Sequence, residues 1–169
     1  MAAGAAAIRA VQQATSTIPV VAASDDLVGE GLVTSLARPG GNTTGVSILG
    51  SELNAKRLGL LKEAVPGLAR IASLWDPATG KFHLSALEDA ARSLRVEHRV
   101  LEVREPGDVA RAVDAAVKAR VEALNVLASP FLAAQDAAII ELAAKHRLPV
   151  IYQWTEAVEA GGLMGYGPI

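Results

Sequence analysis

Two rhythms of apolar and polar positions organise this chain, and they show first between Val20 and Ile48. Val20 to Ala23 is a short apolar run opened by two β-branched residues, and it breaks at Ser24-Asp25-Asp26. Leu27, Val28, Leu32, Val33 and Leu36 then recur at helical spacing, Arg38-Pro39-Gly40-Gly41-Asn42 stops the pattern, and Thr43 to Ile48 returns to strand-type residues. The stretch predicts a β-α-β unit. Ahead of it, residues 2 to 14 predict an Ala-rich helix with Ile8 and Val11 on one side, opening the chain without a preceding strand.

The same alternation continues to the end. Ser51-Glu52-Leu53-Asn54 offers a helix cap, and Leu58, Leu61 and Val65 predict an inward face that ends at Pro66-Gly67. A strand at Arg70 to Trp75 is broken by Asp76-Pro77-Ala78-Thr79-Gly80, and Leu84, Leu87, Ala91 and Leu94 mark the next helix. A strand at His98 to Val103, a helix opening at Pro106-Gly107-Asp108, an apolar strand at Ala123 to Ala128 and a long helix from Ala133 to His146 follow. The last clear strand, Pro149 to Gln153, leads through Thr155 and a short helix to Gly161 to Gly167. Val20, Val46, Ile71, Arg99, Leu124 and Val150 mark strands at intervals of 25 to 28 residues, which fits one strand, one helix and two loops per repeat. The period predicts an α/β fold with parallel strands and right-handed crossovers, apolar on both strand faces where helices cover both sides. It leaves open whether the strands form one sheet or two.

Composition narrows the function classes. An apolar fraction of 51% with 20% charged residues describes a folded domain, and 169 residues bury a sizeable core. A net charge of −2 with scattered Lys and Arg supplies no basic footprint for nucleic acid. The absence of Cys removes disulfides, thiolate metal sites and a Cys nucleophile, and His83, His98 and His146 have no metal-type spacing. The opening residues lack a basic n-region, and Arg9 interrupts their apolar run, so they read as a helix and not as an export signal.

In open α/β sheets, ligands gather at the carboxyl ends of the strands. The residues there are Ser24, Asp25 and Asp26, Ser47, Trp75 and Asp76, Ser129 and Phe131, and Tyr152, Gln153 and Trp154. Such a set suits a small polar molecule with an amino group and a flat or apolar part; carboxylates accept from an ammonium, and exposed helix N-termini hold a carboxylate. Each residue also has a plainer role: Ser24, Asp25 and Ser129 as helix caps, Asp76 as a turn-former before Pro77, Trp75 and Trp154 as packing. No His stands at a strand end, no Gly-x-Ser-x-Gly elbow exists, and no carboxylate pair is set across a cleft, so no catalytic residue, metal ligand or cofactor is assigned.

Thr17-Ile18-Pro19-Val20-Val21, Ser24-Asp25, Val28-Gly29-Glu30-Gly31-Leu32-Val33, Ser35-Leu36-Ala37-Arg38-Pro39-Gly40-Gly41-Asn42-Thr43-Thr44-Gly45, Lys56-Arg57-Leu58, Leu60-Leu61-Lys62-Glu63 and Gly161 to Gly167 carry a resemblance over essentially the whole chain. Together they resemble the ABC-transporter substrate-binding proteins of the tryptophan or aromatic-amino-acid-binding type. The resemblance implies a periplasmic-binding-protein fold of type I, two lobes that close on a small amino-acid-like solute, an ABC permease as partner, a periplasmic or lipid-anchored extracytoplasmic location, and no enzymatic activity. It implies that Ser24 and Asp25 line the first lobe's side of the cleft, Asp76 and Thr79 the second lobe's first strand end, Ser129 and Phe131 another, with Tyr152 and Gln153 near the hinge. Where the family usually has Ser-Asp-Pro this chain has Ser24-Asp25-Asp26, and Asp76-Pro77 stands where Asn-Pro is frequent; both departures argue either against the family's usual ligand or for a more basic one. By the same resemblance the chain is truncated at both ends, residues 1–49 a remnant of the first lobe and 50–169 a nearly complete second lobe with the start of the return crossover. A remnant with unpaired strand edges and an uncovered apolar face predicts a homodimer. Two other readings stand beside transport: a phosphoacceptor receiver-like domain using Asp25, Asp26, Asp76 and Ser129, against which the last strand lacks a Lys, and a non-catalytic interaction domain.

Overall fold

The computed structural model describes residues 1–167, apart from the side chains of Ser51, Phe82 and His83. Two parallel sheets account for every strand in it. The first has the order β1-β2-β3, with β1 at Ala2–Ala3, β2 at Val20–Ser24 and β3 at Thr43–Ser47. Ala2 pairs with Ala22, and β2 pairs with β3 from Val20↔Thr43 to Ser24↔Ser47. Helix α1, Ala5–Ala14, crosses from β1 to β2 and buries Ile8 against Ala22, Leu27, Leu32 and Val33.

Two expectations fail in this region, for definable reasons. The opening helix begins at Ala5 and not at Ala2, because Ala2 and Ala3 extend β2's sheet and Gly4, at φ 81, reverses the chain into α1. A two-residue strand of alanines has no periodicity to detect. The helix expected over Leu27 to Leu36 does not form either. Its pattern begins as one turn, with the Glu30 N–H donating to the Asp26 carbonyl at 2.8 Å. Gly31 then enters the left-handed region at φ 67 and Leu32 N–H closes back on Leu27 O at 2.9 Å, which is a glycine-terminated helix end arriving after one turn. Leu27, Leu32 and Val33 still reach the core, from a crossover loop, while Val28 and Leu36 are exposed.

The second sheet has the order β5-β4-β6-β7-β8, all parallel. Its strands are β4 Arg70–Trp75, β5 Glu97–Glu102, β6 Ala123–Val126, β7 Val150–Tyr152 and β8 Met164–Gly165. Helices α2 Gly50–Ala64 and α3 Phe82–Leu94 cover one face; α4 Asp108–Lys118 and α6 Asp136–His146 cover the other. Along β4, Ile71 and Trp75 join Leu58, Leu61 and Leu87 on the first face, and Ala72 and Leu74 join Val113, Leu124 and Ile139 on the second. Alternate residues thus serve two cores, as a doubly covered parallel strand requires.

Strand ends shift by one or two residues, and two helix boundaries differ more. The long helix expected from Ala133 to His146 is broken at Ala134 and Gln135, leaving α5 as Pro130–Ala133 and α6 from Asp136. Helix α2 starts at Gly50, ahead of the expected cap, with Leu49 in the left-handed region and no side chain capping it. Short helix α7, Thr155–Glu159, connects β7 to β8.

Candidate functional site

Strands β2, β4 and β6 end on a common cavity of about 400 Å³ between the two sheets. On one wall, Ser24 closes β2, Asp25 follows it, and Glu30 reaches in from the single turn of the crossover loop. The Ser24 hydroxyl donates to Glu30 Oε2 at 2.5 Å. Burial raises the Glu30 pKa above the ordinary carboxylate range, opposed by the Ser24 hydrogen bond and reinforced by Asp25 and Asp26.

The opposite wall repeats this chemistry. Asp76 follows β4, and Oδ1 accepts the Ala78 N–H at 2.9 Å, fixing the 3₁₀ turn Pro77–Thr79. Ser129 follows β6, caps α5 by accepting from Phe131 and Leu132 N–H at 3.0 and 3.3 Å, and donates its own proton to Asp76 Oδ2 at 2.6 Å. The ends of β4 and β6 are thereby tied together. Their turn-forming and capping roles are real, and they leave both side chains on the cavity surface.

Small side chains keep the space open: Ala3, Ala23, Ala78 and Ala128 line it, as do Ala5, Ala6 and Ala7 in the first turn of α1. Gly4 gives α1 no side-chain cap, and the first turn, Ala5 to Ala7, borders the cavity, so the positive end of the helix dipole makes it a favourable setting for an anion. Phe131 and Trp154 supply aromatic surface. The arrangement therefore offers acceptors for a cation, donors for an anion and ring faces for an apolar part. Among the described residues, no group of three or more His, Asp or Glu is placed to hold a metal ion.

Of the residues expected at the site, Ser24, Asp25, Asp76, Thr79, Ser129 and Phe131 line this cavity. Ser47, Tyr152 and Gln153 do not. Ser47 Oγ accepts the Leu27 N–H at 3.0 Å and holds the crossover loop. Tyr152 packs in the core beneath α6, where burial, with a smaller effect of Asp136, raises its pKa; it lines a separate cavity of about 330 Å³. Gln153 is buried beside Arg57, whose Nη2 lies 3.5 Å from its Oε1.

The pattern of residues had given no role to Glu30, to the first turn of α1 or to Arg57. Glu30 lay within an expected helix. Arg57 is fully buried in α2, donating through Nη1 to Tyr166 O at 2.9 Å and through Nη2 to Gly50 O at 3.4 Å and to Asn54 Oδ1. Burial lowers its pKa to about 10, and the nearby charge of Asp25 opposes that shift. It joins Gly50, just after β3, to Gln153 and Tyr166, just after β7 and β8.

Comparison with known proteins agrees with this architecture. The chain is 27% identical over 158 residues to a tyrosine-binding protein of Clostridioides difficile strain R20291, covering 92% of this chain and 45% of that protein. A solved conserved domain protein from Vibrio cholerae superposes with a TM-score of 0.86 at 27% identity, over 96% of this chain and 56% of the other. The ABC domain from Streptococcus pneumonia solved with L-Trp gives a TM-score of 0.82 at 24% identity, over 95% and 56% of the two chains. The chain thus spans about half the length of these relatives. Family members are extracytoplasmic binding proteins and not enzymes, and no helix among the described residues is long and apolar enough to cross a membrane. With residues 1–168 matched by the family model described as ABC transporter substrate binding protein, the chain belongs to that family.

Proposed function

We propose that this chain is the solute-binding part of an ABC uptake system and takes a small amino-acid-like molecule between its two sheets. The observation carrying the reading is the convergence of Ser24, Asp25, Asp76, Thr79, Ser129 and Phe131, from separate parallel strands, on one cavity of about 400 Å³. That size lies in the range of small-ligand pockets. In this reading residues 1–49 belong to the first lobe and 50–169 to the second, and Gln153 and Arg57 serve the connection between them. The solute's carboxylate sits at the first turn of α1, its ammonium at the wall of Ser24 and Glu30, and its side chain against Phe131 and Trp154. A permease in the membrane receives the solute, and the protein works in the periplasm or tethered outside the cell membrane.

The tyrosine-binding relative and the L-Trp complex support an amino acid as the solute class. Isothermal titration calorimetry against the twenty amino acids tests it: saturable binding of at least one is expected, and heat of dilution alone for all of them would overturn the reading. The homodimer belongs to the same proposal. Parallel sheets are ordinarily covered on both faces, whereas Val21 and Val46 on the first sheet are 54% and 66% exposed. A second copy laid against them supplies the missing cover.

A further inference from the structure

The geometry points to a solute with a cationic side chain, of the lysine, ornithine or arginine kind, as the preferred occupant of this cavity. The inference rests on the proposed amino-acid-binding function and specifies its ligand class. Three carboxylates line the cavity, Asp25, Glu30 and Asp76, and among the described residues no Lys, Arg or His does. A zwitterion brings only one positive group to this wall, so the decisive question is which carboxylates already have their charge balanced from within the protein.

Asp25 has a cation of the protein beside it: its Oδ1 lies against Gly50, whose carbonyl accepts from the buried Arg57 guanidinium at 3.4 Å. Asp76 and Glu30 are held differently. Asp76, itself only 8% exposed, accepts from a backbone N–H and from the Ser129 hydroxyl, both neutral donors. Glu30 accepts from the Ser24 hydroxyl, and Arg9, which is not in the cavity lining, donates to the Glu30 backbone carbonyl. Each wall therefore presents one carboxylate oriented by a serine and, among the described residues, with no ion-pair partner. A partly buried carboxylate of this kind gains most from an incoming positive group, since the charge partner removes the penalty that burial imposes.

The two carboxylates also divide the work. With the α-carboxylate at the first turn of α1, the α-ammonium lies on the side of the adjoining wall of Ser24 and Glu30, and a side-chain cation extends toward Asp76. Phe131 follows Ser129 directly and, with Trp154, offers the ring faces on which an ammonium or guanidinium group rests favourably. A neutral aromatic amino acid uses the rings and leaves Asp76 with no positive partner.

Calorimetry on the 169-residue chain tests the inference with L-lysine, L-ornithine, L-arginine, L-tyrosine, L-tryptophan and L-norleucine. Each basic solute is expected to bind about tenfold or more tightly than norleucine and more tightly than either aromatic. Asp76→Asn, which keeps the shape and an acceptor oxygen, should cost the basic solutes about tenfold more affinity than it costs the neutral ones; circular dichroism and the melting temperature confirm that the variant is folded. Tyrosine or tryptophan binding as tightly as the basic amino acids, or an Asp76→Asn effect equal for both classes, would overturn the cationic preference and leave amino-acid binding standing. Failure of every solute to bind would overturn both.

Discussion

Arg57 carries the largest single-residue consequence. Its guanidinium is surrounded by acceptors from Gly50, Asn54, Gln153 and Tyr166, with the Asp25 charge near. Replacing it by methionine keeps much of the volume and strands these acceptors without a donor, so Arg57→Met should cost about 3 kcal/mol in denaturant unfolding. A loss below about 1 kcal/mol would show that the network is dispensable. Asp136 gives a prediction of opposite sign. Burial and the charge of Glu156 raise its pKa from 3.8 to about 6, so the folded chain binds this proton more tightly than the unfolded chain does. Its contribution favours folding below about pH 4 and is lost as pH rises to about 6. Asp136→Asn should therefore gain about 1 kcal/mol above pH 6, after discounting for its partial exposure, and match the parent near pH 3, as read from urea midpoints across pH. What could be read at this scale from sequence was the set of polar residues at strand ends, because strand termini fix where side chains emerge. Asp76 and Ser129 show this. Arg57 could not be read, since its carbonyl partner Tyr166 lies 109 positions away and a backbone acceptor leaves no signature in residue type.

Among the elements, β2 to β7 were legible, whereas β1, β8 and the crossover between β2 and β3 were not, and the difference lies in strand length and in where the backbone turns. β4 matches the expected Arg70 to Trp75 because both its faces are covered and its ends are cut by a turn that only Asp-Pro and Gly residues suit. In the first sheet, β1 is two alanines long and the crossover from Ser24 to Thr43 keeps the burial pattern of a helix without its hydrogen bonds. Hydrophobic periodicity reports which side chains go inward; it does not report whether a glycine has already turned the backbone aside. Helix α1 shows the functional cost of small changes within an element. Ala6 is exposed on its own helix yet borders the cavity. Ala6→Leu should leave the melting temperature within about 2 °C while weakening solute binding at least tenfold by occupying the space; unchanged affinity would place the solute elsewhere.

At the scale of the whole molecule, the two sheets are unequal in their protection. The second has a core on each face, whereas the first is packed only on the side of α1 and leaves Ile18, Val21 and Val46 exposed on the molecular surface. Sedimentation equilibrium should show a dimer at micromolar concentration, and Val46→Lys, which places a charge on that face, should shift it to monomer without loss of helical content. A monomeric parent chain would remove the dimer from the proposal.

The sequence holds two tryptophans, and the fold places them in contrasting surroundings. Trp75 is packed in the interior with its indole N–H on Gly80 O at 3.1 Å, while Trp154 borders the cavity proposed to take the solute. A chain carrying Trp75→Phe would thus hold a single tryptophan at the cavity wall, and under excitation selective for tryptophan the colour and intensity of its emission would report occupancy of the proposed site, with no dye attached.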